Sequence, residues 1–490
     1  MASRPRHHSP VRRRTLRSSR GGRGAQPDHW KYVLRLDLTD SGFDASVLSE
    51  FRTRLLDGQA EQLLLDTLLT WCRERQLVNA RGRQRTDGTH VLAAVRALNR
   101  IEVVGETMRH ALNSLAVVAP SWLERHANPD WVARYARRAE DDRLPAGQAA
   151  RDALALTIGS DGYALLIALS TAAPVWLREV PAVETLRRVW IQQYHLVEGA
   201  VHWRAAEEIP PATTFISSPH DLDAHYAKKR STSWVGYKVH LTETCEDDLP
   251  HLITHVETST APVGDGEMIP RIHADLAEKD LLPSTHIVDA GYMDAALLVT
   301  SRAEYDVDLL GPAREDHTWQ AREGQGFKTA CFAVDWDAKQ LTCPGGRTSV
   351  SWTPAVDHRK IPVIKVKFAV EDCRPCPHRP HCTTATYPRR TVTIRPQAAY
   401  QALEAARARG TSRTFKKEYG RRAGSEGTFS HSTRTLHLRR CRYIGLPKTR
   451  LQHLLTAAAM NFVRVGLWLD NTPRAKTRRS RFTVLMSAAA

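Results

Sequence analysis

The chain has 490 residues, enough for two to four domain-sized units. With 42 % hydrophobic and 25 % charged residues it can bury a real core, which excludes global disorder. Lys and Arg outnumber Asp and Glu by 70 to 53, a net charge of +17 that points to a polyanionic partner, most often nucleic acid.

Residues 1–27 read as a disordered basic arm. Arg4, Arg6, Arg12, Arg13, Arg14, Arg17, Arg20 and Arg23 stand there among Ser, Pro, Gly and His, and the first acid is Asp28. No apolar stretch follows that would make a secretory signal, and no run of about 18 apolar residues predicts a membrane span. Eight cysteines in a chain this long do not form a disulfide scaffold, so a reducing, cytoplasmic setting is expected.

Residues 28–82 form a helical region. Val47, Leu48, Phe51 and Leu55, then Leu63, Leu64, Leu68, Leu69 and Trp71, recur at spacings of three and four, with Asp44 as N-cap. Residues 83–102 begin with a turn feeding an extended stretch, Arg-Gln-Arg-Thr-Asp-Gly-Thr-His-Val. Residues 103–205 return to Ala/Leu-rich helices carrying Trp122, Trp131, Trp176 and Trp190, punctuated by Pro120, Pro145, Pro174 and Pro181.

Residues 206–312 are β-rich. Trp-Val-Gly-Tyr-Lys-Val-His-Leu-Thr-Glu-Thr (234–244) alternates like a half-buried strand and pairs in a hairpin with residues 251–258. A helix over 265–279, a strand over 285–289, a helix over 294–305 and a strand from Val307 follow. Hairpin strands succeeded by β-α-β-α-β predict a mixed α/β sheet. Residues 313–395 read as polar loops with clustered cysteines. Residues 396–470 are helical and basic, ending in an amphipathic helix over 451–468, and 471–490 form a basic tail. No internal repeat is visible.

Three acids stand out by position. Asp87 opens a strand, Asp289 closes the apolar strand Ile287-Val-Asp, and Glu426 lies on or beside a helix dense in Arg and Lys. Reactive groups gather at the carboxyl ends of strands in a mainly parallel α/β sheet. In a basic protein, such carboxylates can hold two divalent cations about 3.5–4 Å apart for phosphodiester cleavage, since Mg²⁺ takes hard oxygen ligands. The bland reading is that each acid caps a helix or pairs with an Arg, and spacing by itself does not separate the two. Asp265 is a rival, read chiefly as N-cap of the 265–279 helix. Asp221 and Asp223 precede the first hairpin strand and rank below Asp87.

The carrying motifs run from residue 30 to the C-terminus. They are Trp-Lys-Tyr-Val-Leu-Arg-Leu-Asp-Leu-Thr-Asp-Ser-Gly-Phe-Asp (30–44) with Phe-Arg-Thr-Arg-Leu (51–55), Thr-Asp-Gly-Thr-His-Val (86–91), Trp-Val-Gly-Tyr-Lys-Val-His (234–240) and Val-Asp-Ala-Gly-Tyr (288–292). Tyr419, Arg422 and Glu426 in a Tyr-x-x-Arg-x-x-x-Glu arrangement, Gly-Leu-Pro-Lys-Thr-Arg-Leu-Gln-His (445–453) and Ala-Ala-Met-Asn-Phe-Val-Arg (458–464) complete the set. In this order they resemble the DDE transposases of bacterial insertion sequences, in the IS-eleven-eighty-two-like branch. The resemblance implies an RNase H-like core, with Asp87, Asp289 and Glu426 as catalytic ligands of Mg²⁺ or Mn²⁺. It also implies a helical insertion at 103–205 and a second, cysteine-bearing insertion at 313–395. Its partners would be the insertion-sequence ends and a target DNA duplex, bound by a homodimer or larger assembly. A catalytically impaired DNA-binding remnant and a metal-dependent nuclease without strand transfer are the alternative readings.

Two departures from that family stand out. Thr433, with Arg434 beside it, stands where a Lys follows the Glu by seven positions. The Arg-rich arm stands where a helical region precedes the Trp-Lys-Tyr motif, which implies a shortened start. Such an arm supplies salt-sensitive, sequence-independent attraction and not base readout.

Cys343, Cys373, Cys376 and Cys382 match a structural Zn²⁺ site stapling a loop without its own core, with His378 and His381 as substitute ligands. Cys72, Cys245, Cys331 and Cys441 lack such spacing and read as core or incidental thiols. Lys228, Lys229, Arg230, Trp234 and Lys238 surround the first hairpin strand. Lys416, Lys417, Arg421, Arg422, Arg434, Arg439, Arg440 and Arg442 surround the Glu426 helix. Of these, Lys238, Arg422 and Arg434, together with Tyr419, are the expected DNA contacts; the other charged residues read as solvated faces. Tyr292 and Trp234 are expected in the core, and Gly88, His90 and Gly291 at turns beside the acids.

Overall fold

The computed structural model describes residues 31–473 except 33, 41, 140–143, 317 and 325, together with 481 and 485. The basic arm lies outside the described residues, as does the basic tail apart from 471–473, 481 and 485. The chain divides into a unit ending at Glu61 and a unit starting at Gln62.

In the first unit, α1 (Ala45–Asp57) starts where Asp44 Oδ1 accepts from the Ser46 N–H at 2.8 Å. The aspartate satisfies one of the donors a helix start leaves open. Val47, Leu48 and Phe51 on this helix are exposed.

The second unit opens with α2 (Leu63–Glu74) and β1 (Arg81–Leu92). A helical insertion follows, of α3 (Arg100–Val118), α4 (Pro120–His126), α5 (Asp130–Tyr135), α6 (Gln148–Thr171) and α7 (Pro181–Gln193). It closes on the hairpin β2 (Tyr194–Val197) and β3 (Ala200–Trp203). Helix throughout 103–205 was expected, and the hairpin corrects that. Glu198 and Gly199 both take positive φ, 50° and 82°, which is the two-residue turn that matches strand twist.

The insertion has its own core, built from Val104, Met108, Leu115, Leu165, Leu169, Leu186 and Trp190 among others. By length and composition α6 could cross a membrane, which the sequence did not predict. Its Ala155, Ile158, Leu165 and Leu169 are buried within the insertion. Asp161 on the same helix accepts from Tyr135 Oη and Arg134 Nε, both at 2.7 Å.

The sheet continues with β4 (His225–Lys229), a strand absent from the sequence reading, then β5 (Thr232–Thr244) and β6 (Ile253–Thr260). Next come α8 (Met268–Glu278), β7 (Pro283–Val288), α9 (Ala295–Tyr305) and β8 (Asp308–Leu310). In space the strands run β6-β5-β1-β7-β8, with β4 pairing the start of β5. β5 is antiparallel to β1 and β6, whereas β7 runs parallel to β1, and β8 to β7. The mixed α/β sheet expected from the sequence is present. Its core joins Leu65, Leu68 and Leu69 of α2 to Tyr237, Val239, Leu241, Val256, Ile272 and Leu276.

Residues 313–395 are not polar loops, as the sequence suggested. After α10 (Trp319–Arg322), β9 (Ala333–Asp335) pairs with β10 (Gln340–Thr342). Strands β11 (Ser349–Val356), β12 (Pro362–Phe368) and β13 (Thr391–Ile394) form an antiparallel sheet. The two short helices α11 (Val370–Cys373) and α12 (Arg379–Cys382) lie between β12 and β13. Phe332, Leu341, Val366, Phe368, Val392 and Ile394 make a separate core, with Cys343, Cys373 and Cys382 packed against it. The expectation of a loop without its own core is therefore overturned. Apolar alternation in β12 and β13 was present, but Pro, Cys and Arg around it obscured the period.

The chain ends in α13 (Gln397–Gly410), α14 (Arg413–Tyr419), α15 (Ala423–Leu436) and α16 (Leu446–Leu469). An ion network holds the last two against the sheet. Glu243 on β5 accepts from Arg85 Nε of β1, Thr428 Oγ1 of α15 and Arg464 Nη1 of α16, each at 2.8 Å. Gly424 permits this approach, because a Cβ there would sit 2.1 Å from Arg85 Nη1.

Candidate active site

β1 runs past the end of its parallel neighbour. β7 pairs with it only as far as Thr86↔Val288, so Asp289, the residue after β7, leaves the sheet beside Asp87. The pairs Arg85↔Ile287 and Thr86↔Val288 put odd-numbered positions of both strands on one face. That shared face is the one against α15, since Arg85 and Thr428 both reach Glu243.

Each Asp carboxylate is fixed locally by a backbone N–H. Asp87 Oδ1 accepts from Gly88 at 2.8 Å and Asp289 Oδ1 from Gly291 at 2.7 Å. Both positions demand a small residue. A Cβ on Gly88 would lie 2.7 Å from both His240 Nδ1 and Tyr292 Oη, and one on Gly291 would lie 2.9 Å from Asp289 Oδ1. Gly88 and His90 lie within β1, not at a turn as expected, and His90 packs on Trp234 with ring centroids 5.5 Å apart. Tyr292 and Trp234 are core residues, as the sequence reading favoured.

Glu426 comes from the first turn of α15, one turn after Arg422, so the two side chains share a helix face. Arg422 Nη2 donates to Asp87 Oδ2 at 2.8 Å and lies 3.8 Å from Asp289 Oδ2; its Nη1 is 3.7 Å from Glu426 Oε1. One guanidinium therefore meets all three acids. Burial pushes the Asp87 carboxyl above its usual range, and Arg422 opposes that shift while Asp289 adds to it. Glu426 stays largely exposed at 73 %, against 13 % and 25 % for the side chains of Asp87 and Asp289.

Asp87, Gly88, Thr89 and Glu426 line a cleft of about 390 Å³ with Phe429, Ser430, Thr433, Arg434 and Arg439. Arg439 Nε donates to Thr89 Oγ1 at 2.8 Å, and Arg434 is exposed. A larger hollow of about 680 Å³ near Arg81, Asp308 and Arg409 contains none of the three acids. Tyr419 stacks on Phe415, and burial raises its phenol with Asp289, Asp87 and Glu426 close enough to contribute.

Asp265 does not cap a helix, contrary to expectation. Its carboxylate lies 3.0 Å from Lys238 Nζ and 3.3 Å from Lys229 Nζ, and these two lysines hold its carboxyl low against the cost of burial. Lys238 is 14 % exposed and also donates to Val263 O at 2.6 Å, so its ammonium is engaged within the protein. Asp221 accepts from Tyr237 Oη at 2.6 Å and Asp223 from the Leu446 N–H at 2.9 Å, which are structural contacts. Cys72, Cys245 and Cys441 are buried, whereas Cys331 is exposed.

Burial raises the Cys382 thiol to about 11, with Arg390 opposing the shift and Cys373, Cys343 and Cys376 adding to it. All four cysteines are free thiols of intermediate exposure. Among the described residues, the metal-ligating side chains with donor atoms all within 4.8 Å of one another are instead His255, Glu257 and Asp275.

The bridging position of Arg422 was missing from the sequence reading, which made it a DNA contact. Its spacing of four from Glu426 was the available signal, because that spacing stacks the two on one helix face. The Arg85–Glu243–Arg464 network had no local signal.

Residues 342–466 match the family model of the Transposase DDE domain, a span that includes the four clustered cysteines, Tyr419, Arg422, Glu426 and Arg434. Comparison with curated proteins finds no match. The domain match supports a DDE transposase, and with it DNA as the partner.

Proposed function

We propose that the protein is a DNA transposase of an insertion sequence, in the IS-eleven-eighty-two-like branch, that cuts and joins strands in the cleft beside Asp87. The observation that carries the reading is the meeting of Asp87, Asp289 and Glu426 on one guanidinium, from three separate parts of the chain. With β4 set aside because it pairs only with the start of β5, the strands β6-β5-β1-β7-β8 are 3-2-1-4-5 in chain order, with only the second antiparallel to β1, and this supports an RNase H-like core.

The donor set suits Mg²⁺ or Mn²⁺. Three carboxylates supply hard oxygens, and the cationic Arg422 among them shows that the pocket stabilises positive charge. Bound there, a divalent ion would activate a water or 3′-hydroxyl and stabilise the leaving oxygen. Asp87 and Asp289 are held rigidly by the Gly88 and Gly291 N–H groups, while exposed Glu426 can turn on its helix. Arg434 and Arg439 border the cleft, where they would take phosphate oxygens of the DNA backbone. Water adds to the phosphorus of one phosphodiester and the 3′ oxygen leaves with a proton. The 3′-hydroxyl so formed then attacks a target phosphorus in line, the target strand's own 3′ oxygen leaves and takes up the proton given up by the attacking hydroxyl, and no protein–DNA bond forms. The cysteine lobe would hold a structural Zn²⁺ through Cys343, Cys373, Cys376 and Cys382. A homodimer or larger assembly would act on paired ends, in the cytoplasm.

The test is strand cleavage and strand transfer on DNA bearing the element's ends, with a gel shift in parallel. Asp87→Asn, Asp289→Asn and Glu426→Gln are each expected to lose at least a hundredfold in cleavage and to keep DNA binding. Undiminished cleavage by any one of them in Mg²⁺ removes that residue from the site.

A further inference from the structure

On the sheet face opposite Asp87 lies a polar cluster that the proposed chemistry does not use. The pairs Thr242↔His255 and His240↔Glu257 put these four side chains on one face, next to β1 residues Thr86 and Gly88. The face continues into β7, where His286 Nε2 lies 2.6 Å from Thr86 Oγ1 and Nδ1 lies 2.9 Å from His273 Nε2 on α8. These rings are hydrogen-bonded. His255 Nε2 is buried with no hydrogen-bond partner; the same is true of His240 Nε2, but that ring is held through Nδ1 by Tyr292 Oη.

His255 is 2 % exposed, and its Nε2 faces two carboxylates: Glu257 Oε2 at 3.7 Å and Asp275 Oδ2 of α8 at 3.8 Å. Both separations are too long for a hydrogen bond. A buried imidazole nitrogen left between two carboxylate oxygens carries an uncompensated cost unless something sits among them. We propose that His255, Glu257 and Asp275 bind one divalent transition-metal cation, of which Zn²⁺ is the best match, and that this ion ties β6 to α8.

The spacing fits such an ion. Zinc–nitrogen and zinc–oxygen bonds of about 2.0–2.2 Å place tetrahedral donors roughly 3.3–3.6 Å apart, so each carboxylate needs to close on His255 Nε2 by only a few tenths of an ångström, and all three donors already lie within 4.8 Å of one another. The donor chemistry fits as well. One neutral imidazole with two carboxylates suits Zn²⁺ or Mn²⁺, while Mg²⁺ takes oxygen ligands and keeps its waters. Two negative charges on the ligands match a dication. Asp275 is 30 % exposed and leaves a route for the ion to enter.

The site is independent of the reading of Asp87, Asp289 and Glu426, and its test does not use DNA. The full chain is stripped with EDTA, dialysed against Zn²⁺ alone, and zinc per chain is measured for the native protein, His255→Gln and Asp275→Asn. Each variant is expected to hold one zinc fewer than the native protein, whatever the cysteines hold. Zn²⁺ is also expected to raise the melting temperature of the native protein and of Cys373→Ser by more than that of Asp275→Asn. Asp275 lies on a helix surface, so its variant reports even if His255→Gln does not fold. Equal zinc content in the native protein and Asp275→Asn overturns the proposal and leaves three unligated side chains.

Discussion

Arg422 Nη2 sits 2.8 Å from Asp87 Oδ2, the shortest of its contacts with three carboxylates, and both side chains are less than a fifth exposed. The arginine enters from the turn before α15, the aspartate from the middle of β1. Their pairing fixes where the Glu426 helix meets the sheet and sets one positive charge against two adjacent aspartates. Guanidinium has a planar fork that serves several carboxylates at once, which a lysine cannot do.

Removing that guanidinium by Arg422→Gln leaves Asp87 and Asp289 facing each other with less compensation. In EDTA the variant should lose about 2–3 kcal/mol, somewhat below the cost of breaking a fully buried pair, because the site is open to solvent on the cleft side. Adding Mg²⁺ should shrink the deficit. Chemical denaturation in EDTA and in Mg²⁺ measures both; an equal deficit in the two conditions contradicts the idea that the carboxylates share a cation site.

Among the described residues, Glu243 is the acid that pairs with both Arg85 and Arg464, and its side chain is 2 % exposed. Glu243→Gln keeps the shape and removes the charge, leaving two guanidinia without their anion. A loss of about 3–5 kcal/mol in unfolding free energy is expected. A urea titration that moves by under about 1 kcal/mol would show that solvent reaches the network.

Acid should weaken the fold through its buried histidines. Burial pulls His240 and His273 down to about 4 and His453 to about 3, and His286 well below its ordinary value. A depressed histidine stays neutral in the folded chain while the unfolded chain takes up a proton near pH 6.5. Stability is therefore complete above about pH 6.5 and is lost as pH falls towards 4. Each histidine contributes roughly 1.4 kcal/mol per pH unit across that window. His453→Gln should be less stable at pH 7 but decline less steeply between pH 6.5 and 4. Melting curves over that range give the slope, and parallel slopes for both proteins would refute the assignment.

The cysteine lobe makes a separate prediction. If Cys343, Cys373, Cys376 and Cys382 hold Zn²⁺, Cys376→Ser should release one zinc per chain and leave the zinc at His255 in place. Because the lobe has a core of its own around Val366 and Phe368, it should survive zinc removal with a lowered melting point. Complete loss of its β-structure on chelation would instead make the metal its main support.

Much of this was readable in one dimension. The strand at 234–244, the cap at Asp44 and the strand just before Asp289 are local patterns, set by neighbours two to four positions apart, and the structure contains each element, although the first strand is buried on both faces and not half-buried as its alternation suggested. The hairpin at 194–203 and the sheets within 313–395 were missed because short strands leave only a few alternating positions. Asp265 looked like a cap because it stands where a helix begins; two lysines from β4 and β5 claimed it instead, and no local pattern announces them.

What the sequence alone determined is most of the helices, the main core strands and the residues able to carry metal and phosphate chemistry, because propensity and periodicity act over a few residues. What only the tertiary structure decided is who faces whom. Asp87 and Asp289 became neighbours because β7 pairs in parallel beside β1 and stops at Val288. Arg422 reached both because Gly424 lets α15 settle onto Arg85. His255 met Asp275 because α8 folds back over β6. Such juxtapositions follow from strand order and close packing between segments far apart in the chain, and those forces leave no periodic trace along it.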